Sequence, residues 1–230
     1  MATGRLRHRR VLGGVETVVL SPGGTRLALV GEGRVRIWRP STGALHTVDT
    51  ARDRPVRNVA FTPDGHTLAV VSVGLDDERI TLLDTSTGRT ERTIDPGARG
   101  PLSLAFSPDG HTLATVSGRD LKTWDVRNGR LLKELRVDGG VAPPVFSPDG
   151  RTVAVSGAEE VRLWDLATGL PRGALPTRSL AVTAFAPDGR TLAVGAGGSV
   201  ALWDVELPDP ARAIHDIRAA VGTAPARRSA

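Results

Sequence analysis

Ser107-Pro108-Asp109-Gly110-His111-Thr112-Leu113-Ala114-Thr115-Val116-Ser117, followed by Leu121-Lys122-Thr123-Trp124-Asp125, is the stretch from which the fold can be read. Proline presets φ for a turn, Asp bonds nearby backbone N–H groups, and Gly accepts positive φ, so Ser107–Gly110 reverses the chain. Before it, Leu102, Leu104 and Phe106 alternate with Ser103 and Ala105, the period of a strand. After it, Leu113–Ser117 returns as a second strand and Leu121–Trp124 makes a third. Asn128-Gly129 turns again, and Leu131–Leu135 is a fourth. Both sides of these strands carry small or apolar residues, which suits a sheet packed between two others.

The same pattern occurs five times. Its turns are Ser21-Pro22-Gly23-Gly24, Thr62-Pro63-Asp64-Gly65, Ser107-Pro108-Asp109-Gly110, Ser147-Pro148-Asp149-Gly150 and Ala186-Pro187-Asp188-Gly189. The following strands end at Trp38, Leu83, Trp124, Trp164 and Trp203. From the turn proline to that last residue is 16 residues in the four Trp copies and 20 in the second, which ends at Leu83 and has Leu75-Asp76-Asp77-Glu78 inserted. The prolines recur at intervals of 41, 45, 40 and 39 residues. A period near 40 with a Trp-Asp signature predicts propeller blades of four antiparallel strands. The expected fold is all-β: one propeller domain over 1–207, then a short helix and tail over 208–230.

With those residues in place, the chain resembles a WD40-repeat protein from about Gly4 to Val205. Trp124-Asp125, Trp164-Asp165 and Trp203-Asp204 match the family's dipeptide, while Trp38-Arg39 and Leu83-Asp84 each keep half of it. Thr42-Gly43, Thr87-Gly88 and Thr168-Gly169 supply turns after three of them. No Gly-His dipeptide precedes any inner strand, so the family's buried relay from that His to the Trp is missing and apolar packing must hold the blades. The resemblance implies a non-enzymatic scaffold that docks proteins on its loops.

Both ends break the repeat. Thr3-Gly4-Arg5-Leu6 looks like a turn and the start of a fourth strand, roughly Arg5 to Leu12, without three inner strands. The fifth copy lacks a fourth strand after Trp203-Asp204. Either the first strand completes the last blade and closes a five-bladed ring, or the blades form an open arc with exposed edges. In the tail, Asp209 reads as an N-cap, Pro210 as the first helical residue and Gly222 as a stop, with Ile214, Ile217 and Val221 on one face. A helix after the last blade also resembles the C-terminal part of large bacterial WD40 proteins that carry a signalling ATPase or kinase.

Composition excludes several classes. There is no cysteine, hence no disulfide and no thiolate metal site. No apolar run approaches the roughly 20 residues of a membrane helix, and Glu16 comes too early for a signal peptide, so a cytoplasmic location is expected. Net charge is +5, and all basic side chains except Lys122 and Lys133 are Arg. With so much Ala and Gly, that bias points to a GC-rich bacterial genome as readily as to a basic function.

Candidate chemistry is sparse. His66 and His111 share a turn position with Arg151 and Arg190, which makes them structural. His215 beside Asp216 lacks the i,i+3 or i,i+4 spacing of a metal pair, and His8 and His46 have no triad neighbours. Asp84, Asp125, Asp165 and Asp204 are one repeat position, expected to bond backbone at the strand end. Asp76-Asp77-Glu78 reads as a solvated loop rather than a spaced calcium loop. Gly195-Ala196-Gly197-Gly198 joins two strands without a Lys or helix, so it is a tight turn and not a phosphate loop. Arg5, Arg7, His8, Arg9 and Arg10 form the densest basic patch, but no aromatic side chain stands beside them for nucleic-acid stacking. A glycosidase needs two converging acids, and the channel strands Pro55–Phe61 and Leu102–Phe106 carry none.

The expected function is therefore protein or peptide docking, without cofactor, metal or small-molecule substrate. The alternative is a sensor fragment of a bacterial WD40 signalling ATPase or kinase. The loops between second and third strands carry Glu32, Asp77, Glu78, Arg119, Asp120, Glu159 and Glu160. Those entering the inner strands carry Arg54, Arg99 and Arg178. Both sets leave the same end of the blades and make a mixed-charge rim.

Overall fold

A computed structural model describes residues 8–49, 55–74, 78–97, 102–137, 142–177 and 179–205. The expected reversals at the Pro-Asp-Gly turns produce five separate antiparallel sheets. Blade 1 contains β1 (Thr17–Leu20), β2 (Leu27–Gly31), β3 (Arg34–Arg39) and β4 (Ala44–Asp49). Blade 2 contains β5 (Val56–Phe61), β6 (Thr67–Val73), β7 (Glu78–Asp84) and β8 (Thr90–Ile94). Blade 3 contains β9 (Leu102–Phe106), β10 (Thr112–Ser117), β11 (Asp120–Asp125) and β12 (Leu131–Arg136). Blade 4 contains β13 (Val145–Phe146), β14 (Thr152–Ser156), β15 (Glu160–Asp165) and β16 (Pro171–Pro176). Blade 5 contains only β17 (Val182–Phe185), β18 (Thr191–Ala196) and β19 (Ser199–Asp204) among the described residues. The sequence gives the fifth copy no fourth strand after Trp203-Asp204, and none pairs with β19 among the described residues. The expected tail helix lies outside the described residues.

Each first turn is built by its own side chains. Thr62, Ser107 and Ser147 donate their hydroxyls to Asp64, Asp109 and Asp149 at 2.6, 2.5 and 2.5 Å. The same oxygens accept the backbone N–H of Thr67, Thr112 and Thr152. The Asp carboxylates also accept the N–H of His66, His111 and Arg151. The turn closes at Gly65, Gly110 and Gly150, with φ of 71, 72 and 71°, where a β-carbon would be strained. Successive turns touch: a β-carbon on Gly110, Gly150 or Gly189 would lie 3.4–3.7 Å from Pro63, Pro108 or Pro148 of the preceding blade.

The core lies between blades. On the second and third strands, side chains alternate between two faces, one facing the blade before and the other the blade after. Ala28, Val30, Val35 and Ile37 of blade 1 pack on Val59, Phe61, Leu68 and Val70 of blade 2. Ala69, Val71, Ile80 and Leu82 of blade 2 pack on Leu104, Leu113 and Trp124 of blade 3. Ala114, Val116 and Leu121 then meet Phe146, Val153, Val155 and Trp164. Ala154, Val161 and Leu163 meet Leu192, Val194, Phe185 and Trp203. Phe106, expected in the core, is only half-buried, whereas Trp164 is buried.

No such cluster joins blade 5 to blade 1 among the described residues. Val18 and Leu20 at one end and Val182, Val200 and Leu202 at the other are exposed. Among the described residues, nothing joins blade 5 to blade 1. The described part of the expected first strand, His8–Leu12, has no strand structure and pairs with no sheet. It lies against blade 1, where the Arg10 guanidinium donates to the Gly43 carbonyl at 2.8 Å. The chain then passes so close to β2 that a β-carbon on Gly31 would sit 1.7 Å from the Gly14 carbonyl oxygen.

The Trp side chains differ in their polar ends. Trp124 Nε1 donates to Thr115 Oγ1 at 3.0 Å across the β10–β11 pair. Val155 and Leu29 occupy the equivalent place in blades 4 and 1, and the buried Nε1 atoms of Trp164 and Trp38 find no acceptor among the described residues. Removing one partner of a buried hydrogen bond costs about 1–3 kcal/mol. We predict that Thr115→Val destabilises the protein by that amount in denaturant unfolding. Val155→Thr, which offers Trp164 the missing acceptor, should hold or raise stability by up to about 1 kcal/mol.

Candidate interaction face

Alternation of strand direction fixes which loops share an end. The first and third turns of every blade lie at one end. The second turns and the connections between blades lie at the other, which is the rim expected from the sequence. Of the ten residues assigned to it, Arg54, Asp77, Arg99 and Arg178 lie outside the described residues. The other six are placed.

Glu32 sits at the β2–β3 turn with φ of 54° and is 3.7 Å from Arg36. Arg119 and Glu159 hold the same turn position in blades 3 and 4. The backbone pins both alike: Val137 N–H donates to the Arg119 carbonyl at 2.8 Å and Thr177 N–H to the Glu159 carbonyl at 2.6 Å. Both side chains are exposed and form no ion pair with a described residue. Asp120 and Glu160 open β11 and β15 and are half-buried. Asp120 pairs with Arg136 at 2.7 Å, and Glu160 pairs with Arg162.

Glu78 is a correction. It is not a rim residue but the first residue of β7, opposite Val73 and only 4% exposed. The four-residue insertion lengthens β6 and β7 to seven residues each, and the added pair draws Glu78 into the sheet. The expected run of three solvated acids therefore does not form with Glu78 as a member.

The sequence reading overlooked the basic partners. Arg36, Lys122 and Arg162 are each the third residue of the third strand, in blades 1, 3 and 4. Lys122 Nζ donates to the Pro96 carbonyl of the preceding connection at 2.8 Å and is 3.6 Å from Glu134. Arg36 donates to the Gly13 carbonyl at 2.8 Å. Aligning the five copies would have shown this recurring cation. Its role as a clamp on the preceding connection needed the geometry.

The signature carboxylates face the opposite end and hold the third turns. Asp84 accepts from the N–H and hydroxyl of both Ser86 and Thr87. Asp125 accepts from the Arg127 and Asn128 N–H groups and from the Asn128 amide. Asp165 accepts from Thr168 and pairs with Arg172. The hydroxyl bonds from Ser86 and Thr87 lower the Asp84 pKa to about 2. Asp64 and Asp109 are lowered by the Thr62 and Ser107 hydroxyls and by the backbone. At Asp165, burial works against ionisation, but the bonds from Thr168 and Arg172 outweigh it and the pKa falls.

Among the described residues, no group of three or more His, Asp or Glu could hold a metal ion. His66 and His111 are exposed, and their backbone N–H groups serve the turns. Gly197 and Gly198 form the tight β18–β19 turn with φ of 57 and 79°.

Residues 90–125 and 175–204 match the family model WD domain, G-beta repeat. These stretches are similar to WD40 repeats. Each begins in or near an outer strand and runs to the Trp-Asp of the following blade, so the repeat unit straddles two sheets. With five antiparallel sheets in series, the chain has the WD40 propeller architecture, an interaction module that is generally non-catalytic. No curated protein matches the chain.

The lowered carboxylate pKa values have a signed consequence. A depressed folded-state pKa stabilises the fold above the unfolded value, near 3.8, and that stability is lost as pH falls toward the folded value. We predict that Asp84 contributes no pH dependence between pH 7 and about 5, and that its contribution declines from there toward pH 2. Acid titrations of wild type and Asp84→Asn, followed by circular dichroism, should show the shallower decline in the variant.

Proposed function

We propose that the protein is a non-enzymatic scaffold whose rim of second turns and inter-blade connections docks a polar, mixed-charge protein surface or peptide. The observation that supports this reading is the pair Arg119 and Glu159. They occupy one backbone position in adjacent blades, carry opposite charge, and project from a scaffold whose buried residues are nearly the same in both. The neighbouring charges Asp120, Glu160 and Glu32 are engaged by Arg136, Arg162 and Arg36. Among the described rim residues named above, that leaves Arg119 and Glu159 as exposed charges to offer a partner. Partly desolvated rim charges select partners and speed encounter more than they add affinity.

The test is capture on the immobilised chain, with the proteins retained identified and compared between wild type and Arg119→Glu/Glu159→Arg. Both positions are exposed, so folding should be unchanged. Reversing both charges should weaken salt-sensitive capture about tenfold, equivalent to roughly 1.4 kcal/mol. Undiminished recovery would remove this rim from consideration.

A further inference from the structure

Blades 1 and 5 expose apolar faces whose counterparts in the interior blades are buried. The third-strand residues Val35, Ile80, Leu121 and Val161 are fully buried, and Ile37, Leu82, Thr123 and Leu163 are at most 5% exposed. Their counterparts in blade 5, Val200 and Leu202, are 74% and 72% exposed. In every interior contact that face is covered by the first-strand face of the next blade. The first-strand positions also separate by blade: Phe61 and Phe146 are 8% exposed, whereas Leu20 in blade 1 is 57% exposed. Val59 and Leu104 are 7% and 3% exposed, against 55% for Val18. Blade 5 thus shows the face that needs a following blade, and blade 1 shows the face that needs a preceding one.

The N-terminal segment supplies an independent observation. Between interior blades, a cation on the outer strand reaches the third turn of the next blade: Arg92 donates to the Asn128 carbonyl and Lys133 to the Ala167 carbonyl. Arg10 donates to the Gly43 carbonyl in the same way. The connection is also clamped in the same way, by Arg36 on Gly13 as by Lys122 on Pro96. The segment around Arg10 therefore lies on blade 1 where the outer strand of a preceding blade would lie, but without that blade's inner strands. Blade 5 has three inner strands and no fourth among the described residues.

We propose that two copies of the chain associate head to tail, blade 5 of one packing on blade 1 of the other. The segment His8–Leu12 of the second copy then becomes the fourth strand beside β19 of the first. A second copy is the occupant because it carries both the matching apolar face and the missing strand, with the four interior interfaces as its template. The contact is heterologous, so each copy keeps one free end unless the assembly closes.

The test is light scattering across a size-exclusion peak over a concentration series, with circular dichroism to confirm that each variant folds. Wild type should exceed the 24.2 kDa chain mass, increasingly with concentration or as a fixed multiple. Leu20→Glu and Leu202→Glu should each run as monomers, since each blocks one half of the contact. Mixed together, they retain one intact half apiece and should form a one-to-one complex of twice the chain mass. Wild type that stays at the chain mass throughout overturns the proposal and leaves the tail or another protein to cover these faces. Wild type that associates while the mixture stays monomeric overturns it as well.

Discussion

Burial of one blade's apolar face by the next is the interaction on which the rest of this structure depends. A single four-stranded sheet of this kind is apolar on both sides and has no layer of its own to bury either one. Stacking in series solves this four times, with Ala and Val on one side meeting Phe, Leu, Val and Trp on the other. Each such contact removes large side chains from water and contributes several kcal/mol, because Leu or Phe burial is worth about 1.5–3 kcal/mol. The outer strands take little part, and their side chains are mostly exposed.

Polar chemistry is arranged around that stacking and not within it. At the inner edge, hydroxyl, carboxylate and glycine close the first turns of blades 2, 3 and 4 locally. Contact between a turn glycine and the preceding proline then sets neighbouring blades at close range. At the outer edge, Asp84, Asp125 and Asp165 satisfy the N–H groups of the third turns. Cations of one blade reach carbonyls of the next, so the polar bonds between blades repeat the direction of the apolar contacts. Among the described residues, the Trp124 indole N–H is satisfied by Thr115, whereas those of Trp38 and Trp164 meet no acceptor. The missing His relay is thus compensated in one blade and left uncompensated at Trp38 and Trp164.

The consequence for function is a division between a uniform interior and a variable rim. Among the described rim residues, Glu32, Asp120 and Glu160 are engaged by ion pairs within blades, while Arg119 and Glu159 stay exposed. Such exposed pairs add little stability, so their exchange between blades is tolerated by the fold. The open ends are a different kind of surface, apolar and shaped by the repeat, and they would recognise another blade instead of a charged peptide.

The repeat, the strand count of each interior blade and the chemistry of every turn were legible in the chain because they are local. Ser107, Asp109, Gly110 and Thr112 lie within five residues of each other and carry their own hydrogen bonds. The alternation of Leu102, Leu104 and Phe106 likewise needs no distant partner to be read. The rim was legible as a set of loops at one end, since strand alternation fixes ends, but not in its detail. Glu78 entered a strand because the insertion lengthened β6 and β7 together. Asp120 was engaged by Arg136 of β12, which only the folded sheet brings near. Whether the blades close was beyond the sequence, because it depends on the rotation accumulated over five sheets, a sum of small geometric terms that no residue encodes alone. Among the described residues, Val18, Leu20, Val200 and Leu202 are apolar like their interior counterparts, but they are exposed where a neighbouring blade buries those.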